Sequence, residues 1–213
     1  ISSALELKWD MIIPSGHTMS LQNDLTLSSF GGRAARIIVE DGGTLNIAAN
    51  ATITGTECTF FTSEFWEVPG NGIEVYGSIT IGNGVTFTGS DSEQTSPTWD
   101  GLYLNGCTVS CTADSFFCTP LKLEDYASFT GTDMAFNYSP IEVETSNLDL
   151  DDSRLLDSAV RGFYYDPGPF QNEQHVYITD SDISEVAEEP AIRLTNYPEF
   201  ELSGNDICDN IIG

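Results

Sequence analysis

The feature that most constrains the fold is a sequence pattern that returns after about 20 residues. Residues 121–124 (LKLE) are followed by a similar segment at residues 141–144 (IEVE), and residues 127–130 (ASFT) by residues 147–150 (NLDL). Within each repeat, apolar and polar residues alternate over short runs that end at Gly, Asn, Asp or Ser, which is the pattern of strands and turns. A period of about 20 residues predicts a solenoid.

The length of the connections indicates the kind of solenoid. Residues 73–76, 78–81 and 85–87 predict three strands, separated by Gly77 and by residues 82–84 (GNG). These connections are too short for a crossover helix. Three strands per repeat, with aliphatic side chains inward and polar turns, predict an all-β, single-stranded parallel β-helix whose coils stack about 4.8 Å apart. An antiparallel sandwich is the alternative, but it does not explain the regular step.

Residues 1–213 are predicted to form a single β-helix domain of about eight coils, which we interpret as a mature form or as a piece of a longer surface protein. The predicted coils are residues 9–36, 37–71, 72–98, 99–120, 121–140, 141–160, 161–190 and 191–213. Loop insertions at residues 56–71, 89–98 and 166–174 lengthen three of them. The side chains predicted to point into one continuous core are Ile73, Val75, Ile79, Ile81, Leu121, Leu123, Ile141, Val143, Leu148, Leu150, Ile192 and Leu194.

The charge of the chain excludes two classes of partner. There are 33 Asp and Glu but only 7 Lys and Arg, which gives a formal net charge of -26. Because nucleic acids and anionic membrane surfaces would have to bind against this charge, neither is expected as a partner. No apolar stretch approaches the roughly 18–20 residues that span a bilayer, so membrane insertion is not expected. A dispersed acidic surface is typical of proteins in salt or divalent cations that screen self-repulsion, and it predicts a halophilic or marine setting.

The cysteines favour an oxidising exterior. The five cysteines contain no CxxC pair, and the chain has only two histidines, which argues against a zinc site. Disulfides with one remaining thiol fit this composition better. We expect at least one disulfide among Cys107, Cys111 and Cys118, with Cys118 as one partner because the other two are too close along one extended strand.

Three segments also resemble a known class of protein. Residues 12–21 (IIPSGHTMSL), 38–47 (IVEDGGTLNI) and 99–104 (WDGLYL) resemble the opening coils of right-handed β-helix modules in secreted and surface proteins of bacteria and archaea. The resemblance is at the level of the pectate-lyase-like superfamily. It implies a right-handed coil and an extracellular or cell-surface location. It names no substrate, because this fold serves lyases, hydrolases, epimerases, adhesins and stalks alike.

Aligning the coils on their first strand predicts two outward files of side chains. The first file is Glu74, Tyr103, Lys122, Glu142, Tyr164 and Arg193, and the second is Tyr76, Asn105, Glu124, Glu144, Asp166 and Thr195. Lys122 and Arg193 beside Glu142 have the composition of a lyase site, in which a base lies next to a cation. Charge pairing across neighbouring coils explains the same residues without catalysis. No residue is therefore assigned a catalytic role.

Three carboxylates of the second file form a candidate metal site. Glu124, Glu144 and Asp166 are predicted on consecutive coils, where carboxylates about 5 Å apart repel unless a hard cation bridges them. Calcium is the cation that this oxygen-rich set would bind. Separately solvated carboxylates are the alternative, and no cofactor is required by the sequence.

Aromatic residues in the insertions form a candidate ligand-binding set. Trp66 lies in the first insertion, and Tyr164 and Tyr165 lie directly before the last one. An exposed aromatic platform can stack on a sugar or dock a partner. The alternative is that these rings cover the ends and corners of the β-helix.

These observations favour a noncatalytic structural or adhesive module of a surface layer, stalk or filament. Its expected partners are like subunits or other surface proteins, and we expect it to self-assemble. The alternative is a polysaccharide lyase, a polysaccharide hydrolase or a carbohydrate-binding module. A pocketed cluster of basic and acidic groups with displaced pKa values would favour the enzyme, and a flat face would favour the module.

Overall fold

The computed structural model describes residues 5–30, 33–56, 60–61, 67–68, 70–89, 99–164, 174–186 and 190–208. In these residues the chain is all β, with 29 strands and no helix. The strands in chain order are β1 (Leu5–Leu7), β2 (Met11–Ile13), β3 (Thr18–Leu21), β4 (Leu25–Leu27), β5 (Ser29–Phe30), β6 (Arg33–Ala34), β7 (Arg36–Val39), β8 (Thr44–Ile47), β9 (Thr52–Gly55), β10 (Phe60–Phe61), β11 (Glu67–Val68), β12 (Gly72–Val75), β13 (Ser78–Ile81), β14 (Thr86–Gly89), β15 (Gly101–Asn105), β16 (Thr108–Thr112), β17 (Ser115–Phe117), β18 (Leu121–Glu124), β19 (Ser128–Thr132), β20 (Ala135–Asn137), β21 (Ile141–Glu144), β22 (Asn147–Asp151), β23 (Arg154–Leu156), β24 (Val160–Phe163), β25 (His175–Thr179), β26 (Asp182–Ser184), β27 (Ile192–Thr195), β28 (Glu199–Ser203) and β29 (Asp206–Cys208).

Three stacks of parallel strands carry most of these elements. The first sheet has the order β2-β7-β12-β15-β18-β21-β24-β27. The second sheet consists of two ladders, β3-β8-β13 and β16-β19-β22-β25-β28, in which β13 and β16 lie side by side. The third sheet has the order β1-β4-β9-β14-β17-β20-β23-β26-β29. The pairs β5–β6 and β10–β11 are antiparallel and lie apart from these sheets.

The path of the chain through the sheets repeats. Strands β18, β19 and β20 belong to the first, second and third sheets, and β21 then returns to the first sheet beside β18. We call three such successive strands a coil. Stacked parallel sheets connected in this way are consistent with the predicted parallel β-helix.

Alternation of side chains places the core between the three sheets. In β18 and β21, for example, the first and third residues are buried, while the residues between them face outward. Ten of the twelve predicted core residues are buried, from Ile73 to Leu150. Ile192 and Leu194 are only partly buried, because they lie in β27, the last strand of the first sheet.

Aromatic rings inside the core repeat with the strands. Phe87, Phe116 and Phe136 occupy equivalent positions of β14, β17 and β20, and their rings stack with centroids 4.8 and 4.9 Å apart. This distance matches the spacing of neighbouring strands. The side chains therefore reinforce the register that the backbone hydrogen bonds define.

A line of buried hydroxyl groups joins successive coils at one corner. Ser139 Oγ accepts a hydrogen bond from the Thr119 backbone N–H at 3.0 Å, and Ser158 Oγ accepts one from the Ser139 N–H at 2.9 Å. Thr119 Oγ1 accepts from the Trp99 indole N–H at 2.8 Å. Each hydroxyl thus satisfies a buried donor of the preceding coil, at a point where the sheet ladders are interrupted.

One predicted register is wrong at β24. Glu142 pairs with Arg161 rather than with Tyr164, and Glu144 pairs with Phe163 rather than with a residue of the following insertion. The cause is Gly162, which occupies an inward position where a Cβ would lie 2.5 Å from Leu194 Cδ2. Because this coil lacks the second aliphatic side chain of the repeat, its pattern in the sequence is obscured.

The predicted disulfide is also wrong. Cys107 and Cys111 are buried thiols, so no disulfide joins two of the cysteines at positions 107, 111 and 118. Cys111 lies in β16 with its side chain in the core, and Cys107 precedes that strand. Burial raises the pKa of the Cys107 thiol to about 11, because the thiolate would be desolvated. These cysteines therefore serve as small core residues.

Candidate functional site

A groove of about 320 Å³ lies on the outer face of the first sheet. Its walls come from four successive strands, β18, β21, β24 and β27. The lining residues are Lys122, Glu142, Val143, Glu144, Arg161, Gly162, Phe163, Arg193 and Thr195. The groove thus combines three cations with two carboxylates in a chain that is otherwise strongly acidic.

Strand register determines the order of side chains along the groove. One outward file runs from Lys122 through Glu142 and Arg161 to Arg193, one strand spacing per step. The neighbouring file includes Phe163 and Thr195, which are paired in β24 and β27. Because side chains two positions apart on a strand share a face, both files line the same groove.

At the end of the groove near β18, the charges are paired. Lys122 Nζ lies 2.5 Å from Glu124 Oε1, and the Tyr103 hydroxyl donates a hydrogen bond of 2.6 Å to Glu124 Oε2. Further along, Arg161 Nη1 lies 3.6 Å from Glu142 Oε1. Exposed pairs of this kind contribute little to stability. They do orient the side chains that border the groove.

The pKa values at this end keep the ionisable groups in their usual charge states. Partial burial lowers the pKa of Lys122, but the ion pair with Glu124 outweighs it and leaves that pKa raised. Burial likewise raises the pKa of Glu124, but the hydrogen bonds from Lys122 and Tyr103 outweigh it and leave that pKa lowered. Both pKa values are therefore displaced away from neutrality, whereas a general acid or base works best with a pKa near the working pH.

The predicted metal-binding residues are only partly described. Glu124 is engaged by Lys122 and Tyr103, and Glu144 is exposed on the neighbouring strand. The next position of their file is Phe163, while Asp166 lies outside the described residues. Within the described part of the chain, no group of three or more Asp, Glu, His and Cys side chains is arranged to hold a metal ion.

Of the three aromatic residues predicted to bind a ligand, only Tyr164 lies in the described part of the chain. Tyr164 is half-buried and forms an edge contact with the ring of Tyr197, with centroids 6.1 Å apart. Trp66 and Tyr165 lie outside the described residues. The ligand-binding role of these three residues stays a prediction.

Sequence reasoning missed two residues of the groove, Arg161 and Phe163. Both follow from the register of Val160, which occupies the position of Ile141 in the preceding coil. The signal that could have identified them is the spacing of 19 residues from Ile141 to Val160, one residue less than the preceding step from Leu121 to Ile141.

A second, smaller groove of about 160 Å³ lies on the outer face of the second sheet. Asp149, Asp151 and Glu201 contribute carboxylates to it, and Tyr177 contributes a ring. His175 lies beside it, with Nε2 3.0 Å from Asp149 Oδ1 and its ring stacked on Tyr177 at 4.2 Å. This face is acidic and rich in hydroxyl groups, in contrast to the first groove.

Comparisons of the chain with protein-family models, curated proteins and solved structures give no match. The resemblance to the pectate-lyase-like superfamily therefore stays a prediction. Among the described residues there is no helix long and apolar enough to cross a membrane. The function is accordingly inferred from the geometry of the molecule itself.

Proposed function

We propose that this chain is a right-handed parallel β-helix of about eight coils that acts as a noncatalytic structural or adhesive module at a cell surface or outside the cell. The right-handed path is supported by the strong preference of parallel crossover connections for that hand. The number of coils is supported by the eight strands of the first sheet in the described residues. The setting is supported by the net charge of -26.

The observation that carries the proposal is the exposure of inward positions in the last described coil. Phe200, Leu202 and Ile207 are 62%, 40% and 50% exposed. Their ladder partners one coil earlier are fully buried, and these partners are Val176, Ile178 and Ile183. A further layer stacked on β28 and β29 would cover these side chains.

We assign that layer to the front coil of a second copy. The front coil presents strands of the same three sheets, and Leu5 at an inward position of β1 is itself 49% exposed. Stacking would continue the parallel ladders and bury apolar side chains at about 1.5–3 kcal/mol for each one fully covered. Repeated contacts of this kind give an open filament when they do not close into a ring.

Sedimentation over a range of protein and NaCl concentrations tests the proposal. We expect association to increase with salt, because screening weakens the repulsion between acidic copies while leaving apolar contacts intact. Phe200→Ser should reduce association. The matched control is Tyr126→Ser, which removes an exposed ring from the turn between β18 and β19. A wild-type protein that stays monomeric at high concentration and high salt would contradict the proposal.

The groove on the first sheet favours a second candidate, a polysaccharide-active protein. Lys122 and Arg161 flank Glu142 there, and Phe163 offers an exposed ring. Incubation with acidic polysaccharides, followed by assays for new reducing ends and for unsaturated products, distinguishes cleavage from binding. Cleavage that Glu142→Gln abolishes would favour the enzyme over the module.

A further inference from the structure

Two arginines of the first groove lie directly beside each other. Arg161 of β24 and Arg193 of β27 are partners in the parallel ladder, so their backbones are one strand spacing, about 4.8 Å, apart. Like charges at such positions destabilise a sheet. The chain has only 7 basic residues for 33 acidic ones, so two adjacent arginines are not expected from its composition.

Of the two arginines, Arg193 is the one without a charged partner in the described part of the chain. Arg161 reaches Glu142 on the side away from Arg193, at 3.6 Å. Arg193 is exposed, and within the described part of the chain it has no hydrogen bond or ion pair. By contrast, Lys8, Arg36 and Lys122 each contact a carboxylate. The positive charge at Arg193 is therefore available to a ligand.

We propose that Arg161 and Arg193 bind a tetrahedral oxyanion, the sulfate or phosphate ester of a sugar. A guanidinium group donates two parallel hydrogen bonds to such an anion, and two guanidinium groups match its several oxygens. The anion also removes the repulsion between the arginines. Thr195, in the same groove, adds a hydroxyl group beside the site.

The surroundings of the arginine pair suit the sugar that carries the anion. Phe163 is paired with Thr195 in the ladder, faces the groove and is 46% exposed. An aromatic ring in this position can stack on the apolar face of a pyranose. The groove volume of about 320 Å³ falls within the range of small-molecule sites. At physiological salt, charges beyond about 8 Å are screened, so an anion in the groove responds mainly to its three cations and two carboxylates and less to the net charge of the chain.

The first experiment measures binding of glucose 6-sulfate, glucose 6-phosphate, inorganic sulfate and glucose by calorimetry at constant ionic strength. We expect saturable binding of at least one charged sugar, tighter than inorganic sulfate and much tighter than glucose. Preference for the sulfate or the phosphate ester identifies the source of the oxyanion. Absence of saturable binding by all three anions would overturn the proposal.

Variants locate the site. Arg193→Gln should weaken binding of the preferred ester about tenfold or more, as expected for the loss of charge-assisted hydrogen bonds. Arg154→Gln is the matched control, because Arg154 is an exposed arginine of β23 in the third sheet, and we expect a change of less than about twofold. Equal weakening by both variants would show a general charge effect and would overturn the site.

Thermal unfolding gives a second readout. Without ligand, Arg193→Gln should melt at a higher temperature than Arg154→Gln, because only the former removes a like-charge pair. With the ester present, the order should reverse, because Arg154→Gln keeps the binding site and is stabilised by the ligand, whereas Arg193→Gln is not. An unchanged order would contradict the proposal. These tests do not depend on stacking between copies, so they can fail independently of the proposed assembly.

Discussion

Individual buried polar residues are the places where this core departs from simple apolar packing. Asp114 is buried; its Oδ1 accepts a hydrogen bond of 2.7 Å from the Val85 N–H, while Oδ2 has no partner within the described residues. Burial raises the pKa of this carboxyl group, although hydrogen bonds from neighbouring backbone groups lower it in part. The folded state therefore carries a desolvation cost at neutral pH.

Asp114→Asn should increase the free energy of unfolding by about 1 kcal/mol at neutral pH, because the charge is removed while an oxygen acceptor for Val85 remains. In the wild type, the folded state holds more protons than the unfolded state between the ordinary and the raised pKa of Asp114. This group therefore makes the free energy of unfolding fall as the pH rises through that window, and the variant should lack this component.

Urea denaturation below and above this pH window measures the effect. Asp152→Asn is the matched control, since it removes the same charge at an exposed turn position. If both variants change stability equally at each pH, the effect belongs to the net charge and not to the burial of Asp114.

At the scale of the element, the corners matter as much as the strands. In the hydroxyl line of Thr119, Ser139 and Ser158, the two serines supply acceptors to backbone N–H groups that no strand ladder satisfies, and Thr119 supplies one to the Trp99 indole N–H. Such groups cost free energy when they are buried without a partner. The corner hydroxyls are therefore expected to contribute to stability more than their small size indicates.

Ser139→Ala should reduce the free energy of unfolding by about 1–3 kcal/mol, because the buried Thr119 N–H loses its acceptor. Ser110→Ala is the control, because Ser110 is an exposed residue of β16. Chemical denaturation of both variants measures the difference. A loss in Ser139→Ala no larger than in the control would show that water replaces the hydroxyl.

The strands were predictable where each coil carries two inward aliphatic side chains, as at Leu121 and Leu123. The strand prediction was misaligned at β24, because Gly162 has no side chain at its inward position. Neighbouring side chains fill that space, and the alternating apolar pattern is interrupted there. The groove depends on that register, so Arg161 and Phe163 were missed, although the step of 19 residues from Ile141 to Val160 carries the signal that places them. Lys122, Glu142 and Arg193 were placed correctly, because their strands follow the regular pattern.

At the scale of the whole molecule, apolar burial and charge repulsion make opposing contributions to the free energy of unfolding. A continuous apolar core holds the coils together, while a net charge of -26 favours expansion of the chain. Cations in the solvent screen the charge repulsion and leave the packing of the apolar core unchanged. Stability should therefore depend on the ionic environment more strongly than in a neutral protein of this size.

Calcium should raise the melting temperature more than sodium at equal ionic strength, because carboxylate oxygens bind the divalent ion and a site formed only in the folded state stabilises it. Glu144→Gln should reduce the calcium-specific part by removing one predicted ligand, while leaving the sodium response unchanged. Differential scanning calorimetry measures both responses. Equal stabilisation by the two salts would show that the effect is charge screening and would contradict a specific calcium site.

The corner hydroxyls have a consequence for how such a chain can change over evolutionary time. Thr119 and Ser139 both precede a proline, and the coils that follow them begin with the same backbone connections at Leu121 and Ile141. A tandem duplication of residues 121–140 would also duplicate Ser139. Its hydroxyl group would accept a hydrogen bond at the corner between the two copies, so no buried N–H group would lose its acceptor. Length can thus vary by whole coils, and each such event would move the arginine pair one strand spacing farther from the front.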